Sequence, residues 1–204
     1  MGRRKTSVVD ERARQVVAQE TARIIVKQGI QDYRAAKIKA AERLNMSDRG
    51  SLPGNSEIEQ AVSEHLLLFS RESHGDLLLG LRKAALSAME LLTLFAPRLV
   101  GPVLRGTAIE NSPVNLHVFS DSCELVALTL DERRVPYRLI ERRMKSRRNQ
   151  SATFAGYRFN HENAPVEATV FPVDGVRQAP ISPIDGRPMR RADKQQVMAL
   201  LNKS

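Results

Sequence analysis

Apolar residues recur at helical spacing through the first half of the chain and at strand spacing through much of the second. Ala13, Val16, Val17, Ile24 and Ile25 predict a helix over 10–28, ended by Gly29, which suits the left-handed residue beyond a helix. Asp32 caps a second predicted helix with Tyr33, Ala36, Ala40 and Leu44 on one stripe. The pair joined at Gly29 reads as a helical hairpin, or as a DNA-binding helix pair. Turn formers fill 45–55. Ser56 followed by Glu59 reads as a capping box ahead of Ile58, Val62, Leu66 and Phe69. Residues 73–76 read as a kink or a break, and 77–95 as a buried central helix that stops before Pro97.

Beyond Pro97 the apolar period shortens. Residues 98–104 read as a strand in which Pro102 marks an edge or a bulge. Val114, Leu116 and Val118 alternate with Asn115, His117 and Phe119, a period of two. Asp121 or Ser122 caps a helix carrying Leu125, Val126, Leu128 and Leu130. A strand over 137–144 follows, then strands over 154–160 and 166–171 joined by a hairpin loop at 161–165. The proline-rich stretch 172–191 reads as an irregular strap over the sheet, and 193–201 as a closing helix. These elements predict an α+β fold: a helical N-terminal half followed by a small mixed β-sheet flanked by helices. We divide it into a helical region, 1–83, and an α/β domain with a C-terminal strap, 84–204.

Charge narrows the partners. The chain carries 32 Lys+Arg against 23 Asp+Glu, a net charge of +9, which favours polyanionic partners. Arg133, Arg134, Arg138, Arg142, Arg143, Lys145, Arg147 and Arg148 cluster around a single Glu141. The cluster reads as a solvated face or as a patch that tracks phosphates. The scarcity of aromatics, 4%, disfavours a stacking platform for bases. No apolar run is long enough to span a bilayer, and no secretory signal is read at the N-terminus. Cys123 is the one cysteine, which fits a reducing, cytoplasmic setting. His65, His74, His117 and His161 show no metal-ligand spacing, and neither a P-loop nor a Gly-x-Ser-x-Gly elbow occurs.

The stretch 100–118 reads VGPVLRGTAIENSPVNLHV. Its helix, strand, Gly-Thr turn, alternating strand and following helix resemble the nucleotidyltransferase superfamily over roughly 84–172, with the minimal prokaryotic and antibiotic-modifying members as models. Gly106 and Thr107 match that family's Gly-Ser turn, Ala108 the small residue that often follows it, Ser112 the serine of its Ser-Asp-x-Asp-Leu and Leu116 the leucine. In the family the turn lets backbone amides approach phosphates, and two carboxylates two residues apart hold magnesium with a third from a neighbouring strand. Here the first carboxylate position is Pro113, the second is Asn115, and the third corresponds to Glu167.

The resemblance therefore implies a nucleotidyltransferase-like protein with a degenerate metal motif and no catalysis, a pseudoenzyme. It would bind a nucleotide, RNA or an acidic protein through Gly106, Thr107, Ser112 and Asn115 and the basic residues Arg138, Arg142, Arg143 and Lys145. Glu167 is the candidate catalytic residue if activity remains, and otherwise reads as a solvated carboxylate. The alternatives are an active nucleotidyltransferase using Mg2+ at an atypical site, or a helical adaptor prone to self-association as an oligomer.

Overall fold

The computed structural model describes residues 8–46, 52–145 and 150–202. The chain divides into two compact units, Met1–Arg71 and Glu72–Ser204. The boundary expected at 83/84 falls inside a helix that belongs, but for its first residue, to the second unit.

The first unit is helical. It contains α1 (Val8–Gln28), α2 (Tyr33–Arg43) and α3 (Asn55–Phe69), with α1 packed on the other two. Asp32 caps α2 by accepting from the Arg34 and Ala35 amides at 2.8 and 3.3 Å. Val17, Ala18, Ala22, Ile24 and Ile25 are buried on α1, whereas Val16 is turned outward. α3 begins before the expected Ser56 cap: the Glu57 carboxylate accepts from the Gly54 amide at 2.6 Å. Ile58, Val62 and Leu66 point inward as the spacing predicts, while Phe69 at the helix end is exposed. The expected turn over 45–55 lies partly outside the described residues.

The second unit opens with α4 (Arg71–Leu91), which runs through the expected break at 73–76 because Gly75 is accommodated within the helix. Then follow β1 (Arg98–Val100), α5 (Gly101–Arg105), β2 (Val114–Phe119), α6 (Cys123–Glu132), β3 (Tyr137–Lys145), β4 (Ser151–His161), β5 (Ala164–Phe171) and α7 (Lys194–Leu201). The strand expected over 98–104 stops at Val100. Pro102 sits in the first helical turn of α5, where its missing N–H leaves no bond unmade. The loop expected at 161–165 shrinks to Glu162 and Asn163, both with positive φ, the backbone a two-residue hairpin turn requires.

The fold is thus α+β, around one five-stranded mixed sheet of order β1-β2-β5-β4-β3. β2 and β5 run parallel, and every other neighbouring pair is antiparallel. One sheet face carries Leu99, Val114, Leu116, Val118, Tyr157, Val166 and Ala168, and packs with α4 residues Ala84, Ala85, Ala88 and Met89 and with Val126 and Leu130 of α6. Tyr157 directs its hydroxyl to the Cys123 carbonyl at 2.7 Å, so its polar end is satisfied within the core. Among the described residues no helix is long and apolar enough to cross a membrane.

Gly156 is fixed by the close approach of β4 and β5. A Cβ there would lie 2.7 Å from the Ala168 carbonyl oxygen and 3.3 Å from Thr169 Cα, both backbone atoms. Gly156→Ala is expected to destabilise the protein by about 2–3 kcal/mol, at the upper end for overpacking. Urea unfolding checks this; an unchanged midpoint would mean that the two strands part without penalty.

Candidate functional site

The sheet face opposite the helices carries the polar residues of β2 and β5. Parallel pairing places Asn115 beside Glu167, His117 beside Thr169 and Phe119 beside Phe171. Alternation predicts these residues on one face. It does not predict that the face is covered: His117, Glu167, Thr169 and Phe171 are all buried.

The cover is the strap. After β5 the chain makes a short turn at Val173–Arg177 and crosses the sheet face. It closes a tight loop in which the Ser182 amide donates to the Arg187 carbonyl at 2.8 Å, with Gly186 at φ +69. It returns to pair with the outer side of β1, where Leu99 and Ala192 exchange amide bonds of 2.8 and 2.9 Å.

Arg191 pins the strap down. Its Nε donates to His117 Nδ1 at 3.0 Å, and its Nη1 donates to the carbonyls of Gly175 and Val176 at 2.7 and 3.2 Å. The guanidinium lies 5.0 Å from the Phe119 ring centre and 5.1 Å from that of Phe171, within cation–π range. Burial, with the Arg191 charge adding to it, pushes the His117 imidazole down to about 3, so the ring is a neutral acceptor. Burial and the nearby Arg98 push Arg191 down to about 10.

Glu167 is 4% exposed, so it is not the solvated carboxylate that a lone acid on a strand suggests. It is bonded by Arg142 and lies 3.5 Å from Arg158. Arg158 is its cross-strand neighbour on β4, with Arg138 beyond it on β3. Asn115, on the other side of Glu167, donates from Nδ2 to the Pro113 carbonyl at 3.2 Å. Gly101 is required beside it, since a Cβ there would lie 3.0 Å from that same nitrogen, at a φ of +75.

Between the strap and this face lies a cavity of about 260 Å³. Asn115, His117, Thr169 and Arg142 line its sheet side, Arg105 its α5 side, and Ser182, Asp185 and Arg190 its strap side. Three arginines against one aspartate make it an anion-attracting space. Asp185 is held below the usual carboxylate range chiefly by the Arg187 amide. Beyond Met144, which lines both spaces, a second cavity of about 580 Å³ is bounded by Phe154, Phe171, Pro172 and Pro180, with Lys145 at its edge.

The expected phosphate turn stands elsewhere. The Gly106 and Thr107 amides both donate to the Pro102 carbonyl, at 2.8 and 3.0 Å, and close the end of α5. Ser112 is buried, and its Oγ accepts from the Ile109 amide at 2.8 Å. Gly106, Thr107 and Ser112 do not line the cavity, whereas Asn115 does.

The basic cluster is likewise divided. Strand alternation puts Arg138 and Arg142 on the Glu167 side of β3 and Arg143 and Lys145 on the other. Arg147 and Arg148 lie outside the described residues.

Arg158 did not emerge from sequence as a site residue, because no local pattern names its partner. Arg191 belongs to an arginine cluster that reads from sequence as a partner for phosphate or a carboxylate, and the structure sets it against His117, Phe119 and Phe171 instead. The run Ser182–Arg191 is distinctive as text, since its Asp-Gly turn and its arginines stand out. Among the described residues no group of three or more His, Cys, Asp or Glu is arranged to hold a metal. Comparison of the chain with protein-family models, with curated proteins and with solved structures finds no match.

Proposed function

We propose that this is a nucleotidyltransferase-like protein without metal-dependent catalysis that binds a phosphate-bearing ligand, a nucleotide first among them, in the cavity beneath the strap. One observation carries the reading: the buried Glu167 carboxylate is held by Arg142 and Arg158, and its neighbour on the adjacent strand is the uncharged Asn115. Magnesium does not fit this donor set. Pro113 offers no side-chain ligand, Asn115 one neutral oxygen, and Glu167 is already charge-paired. Guanidinium groups supply fixed positive charge where the enzyme framework would use a divalent cation, and they recognise phosphate directly.

At about 260 Å³ the basic cavity is just below the range of about 300–1,000 Å³ usual for small-molecule sites, so it suits a phosphate ester better than a whole triphosphate. The second cavity, walled by Phe154 and Phe171, would take an apolar or planar remainder, which favours a nucleotide over bare phosphate. The single cysteine supports a cytoplasmic setting for such a ligand.

A nucleotide panel read by thermal shift, with and without magnesium, tests the proposal. The expected result is stabilisation that needs no magnesium and fades as salt rises. A ligand at a hundred times its Kd adds about 2.7 kcal/mol. Arg190→Glu is expected to weaken binding about tenfold, or about 1.4 kcal/mol. Stabilisation that requires magnesium, with turnover abolished in Glu167→Gln, would instead establish the active transferase that the Asn115–Glu167 pairing keeps in view.

A further inference from the structure

We propose that the outer edge of β3 docks an acidic, extended peptide segment as a sixth strand of the sheet. The sheet has two edges, β1 and β3. The β1 edge is closed by the strap, through the paired bonds of Leu99 and Ala192. On β3 the strap reaches only the last residue, where the Ile181 amide donates to the Lys145 carbonyl at 2.8 Å. That bond points away from β4. Strand alternation therefore places the N–H and C=O groups of Leu139, Glu141 and Arg143 on the same outer side. Among the described residues nothing pairs with them.

This edge lacks most of the features that keep sheets from adding strands. It is nine residues long, has no proline, and pairs with β4 in unbroken register from Tyr137↔Phe159 to Lys145↔Ser151, so no bulge twists it away. Leu139 is 71% exposed upon it. The protection that remains is charge, and the charge is of one sign: Arg138, Arg142, Arg143 and Lys145 against Glu141. Arg142 and Arg158 are engaged by Glu167, whereas Arg138, directly across from Arg158, has no ion-pair partner among the described residues.

Charge of one sign chooses the occupant. A second copy of this edge would bring together two strands of the same net positive charge, with Glu141 opposite Glu141 in the fully overlapped antiparallel register and Arg142 opposite Arg142 or Arg138 in the neighbouring ones, which pairing penalises. An acidic strand of alternating character would place its carboxylates on the face of Arg138 and Arg142 and its apolar residues on the face of Leu139, while its backbone completes the ladder. A nucleic-acid backbone would meet the same cations, but it has no alternating donors and acceptors to match the free edge. The inference concerns the far side of the sheet from the strap-closed edge and is independent of the ligand proposed for the cavity.

The test uses the full chain and a labelled nine-residue peptide of alternating Glu and Val, read by fluorescence anisotropy. A second peptide of identical sequence is N-methylated at alternate amides, on the side that would face β3. The first is expected to bind and the second to bind about tenfold more weakly or worse. Arg143→Pro is expected to give the same loss, because the N–H it removes points away from β4. Amide exchange at Leu139, Glu141 and Arg143 is expected to slow when the first peptide is added. Equal binding of the two peptides, or tighter binding of an oligothymidylate of matched charge, would overturn the proposal.

Discussion

His117→Gln is expected to remove much of the protein's sensitivity to acid. In the unfolded chain this histidine takes up its proton near 6.5, whereas in the folded chain it stays neutral down to about 3. Between those values the unfolded state binds the extra proton, so stability falls as pH is lowered through the window and is complete above it. The slope approaches about 1.4 kcal/mol per pH unit, for a total on the order of 4 kcal/mol near pH 3. Burial is the main reason protonation is refused, and the Arg191 charge adds to it. Arg191 donates to its Nδ1, Arg98 is its cross-strand neighbour on β1, and Thr169 and Phe171 on β5 are uncharged. A glutamine at 117 keeps an acceptor for Arg191 but takes no proton. Urea denaturation at a series of pH values checks this through the difference between the two proteins. That difference matters because burial also lowers the His74 value, which contributes to the same window in both. Parallel stability curves for wild type and variant would refute the assignment.

This latch marks the limit of what sequence can reveal here. The period of two at Val114, Leu116 and Val118 identifies β2 directly, because one of its faces meets an apolar core and apolar residues select that face. The opposite face resists the same reading. His117 and Glu167 occupy the polar positions of their strands, yet both are buried, His117 against Arg191 of the strap and Glu167 against Arg142 and Arg158. A strap has no hydrophobic period of its own, and this one is held by the Arg191 side chain and a few backbone bonds to β1 and β3. Pro102 reads from sequence as the edge or bulge of a strand rather than as a helix start, since proline suits both places and tertiary packing chooses. The tight turn at Glu162–Asn163 was hidden because glutamate rarely adopts positive φ. Here Ser87 on α4 supports it, its hydroxyl donating to the Glu162 carboxylate at 2.8 Å.

The candidate site shows the same division. Asn115 and Glu167 fall beside each other because β2 and β5 pair in parallel, a neighbourhood that the family resemblance implies and the order of elements alone does not. The hold of Arg142 and Arg158 on Glu167 depends on the register of three strands, which no local pattern encodes. The Gly106–Thr107 turn was conspicuous as text, but the Pro102 carbonyl takes both of its amides. Glycine in such a turn satisfies a helix end as readily as it admits a phosphate.

Removing both guanidinium groups from Glu167 is expected to cost more than removing all three charges together. Arg142→Ala with Arg158→Ala strands a carboxylate that is 4% exposed, whereas adding Glu167→Gln leaves a neutral amide in its place. An uncompensated buried charge costs about 3–5 kcal/mol. The two arginine side chains are 44% and 55% exposed, so solvent screens the pair and the lower end, about 3 kcal/mol, is expected. The triple variant is expected to recover at least half of that loss in urea unfolding. Magnesium then separates a structural ion pair from a substituted cation site. If the arginines stand where the framework would hold a divalent ion, the double variant should be stabilised by magnesium through Glu167 and the neutral oxygen of Asn115. Wild type and the triple variant should not respond. Equal magnesium stabilisation of all three proteins would place the ion elsewhere, and stabilisation of the wild type alone would restore the reading of a working metal centre.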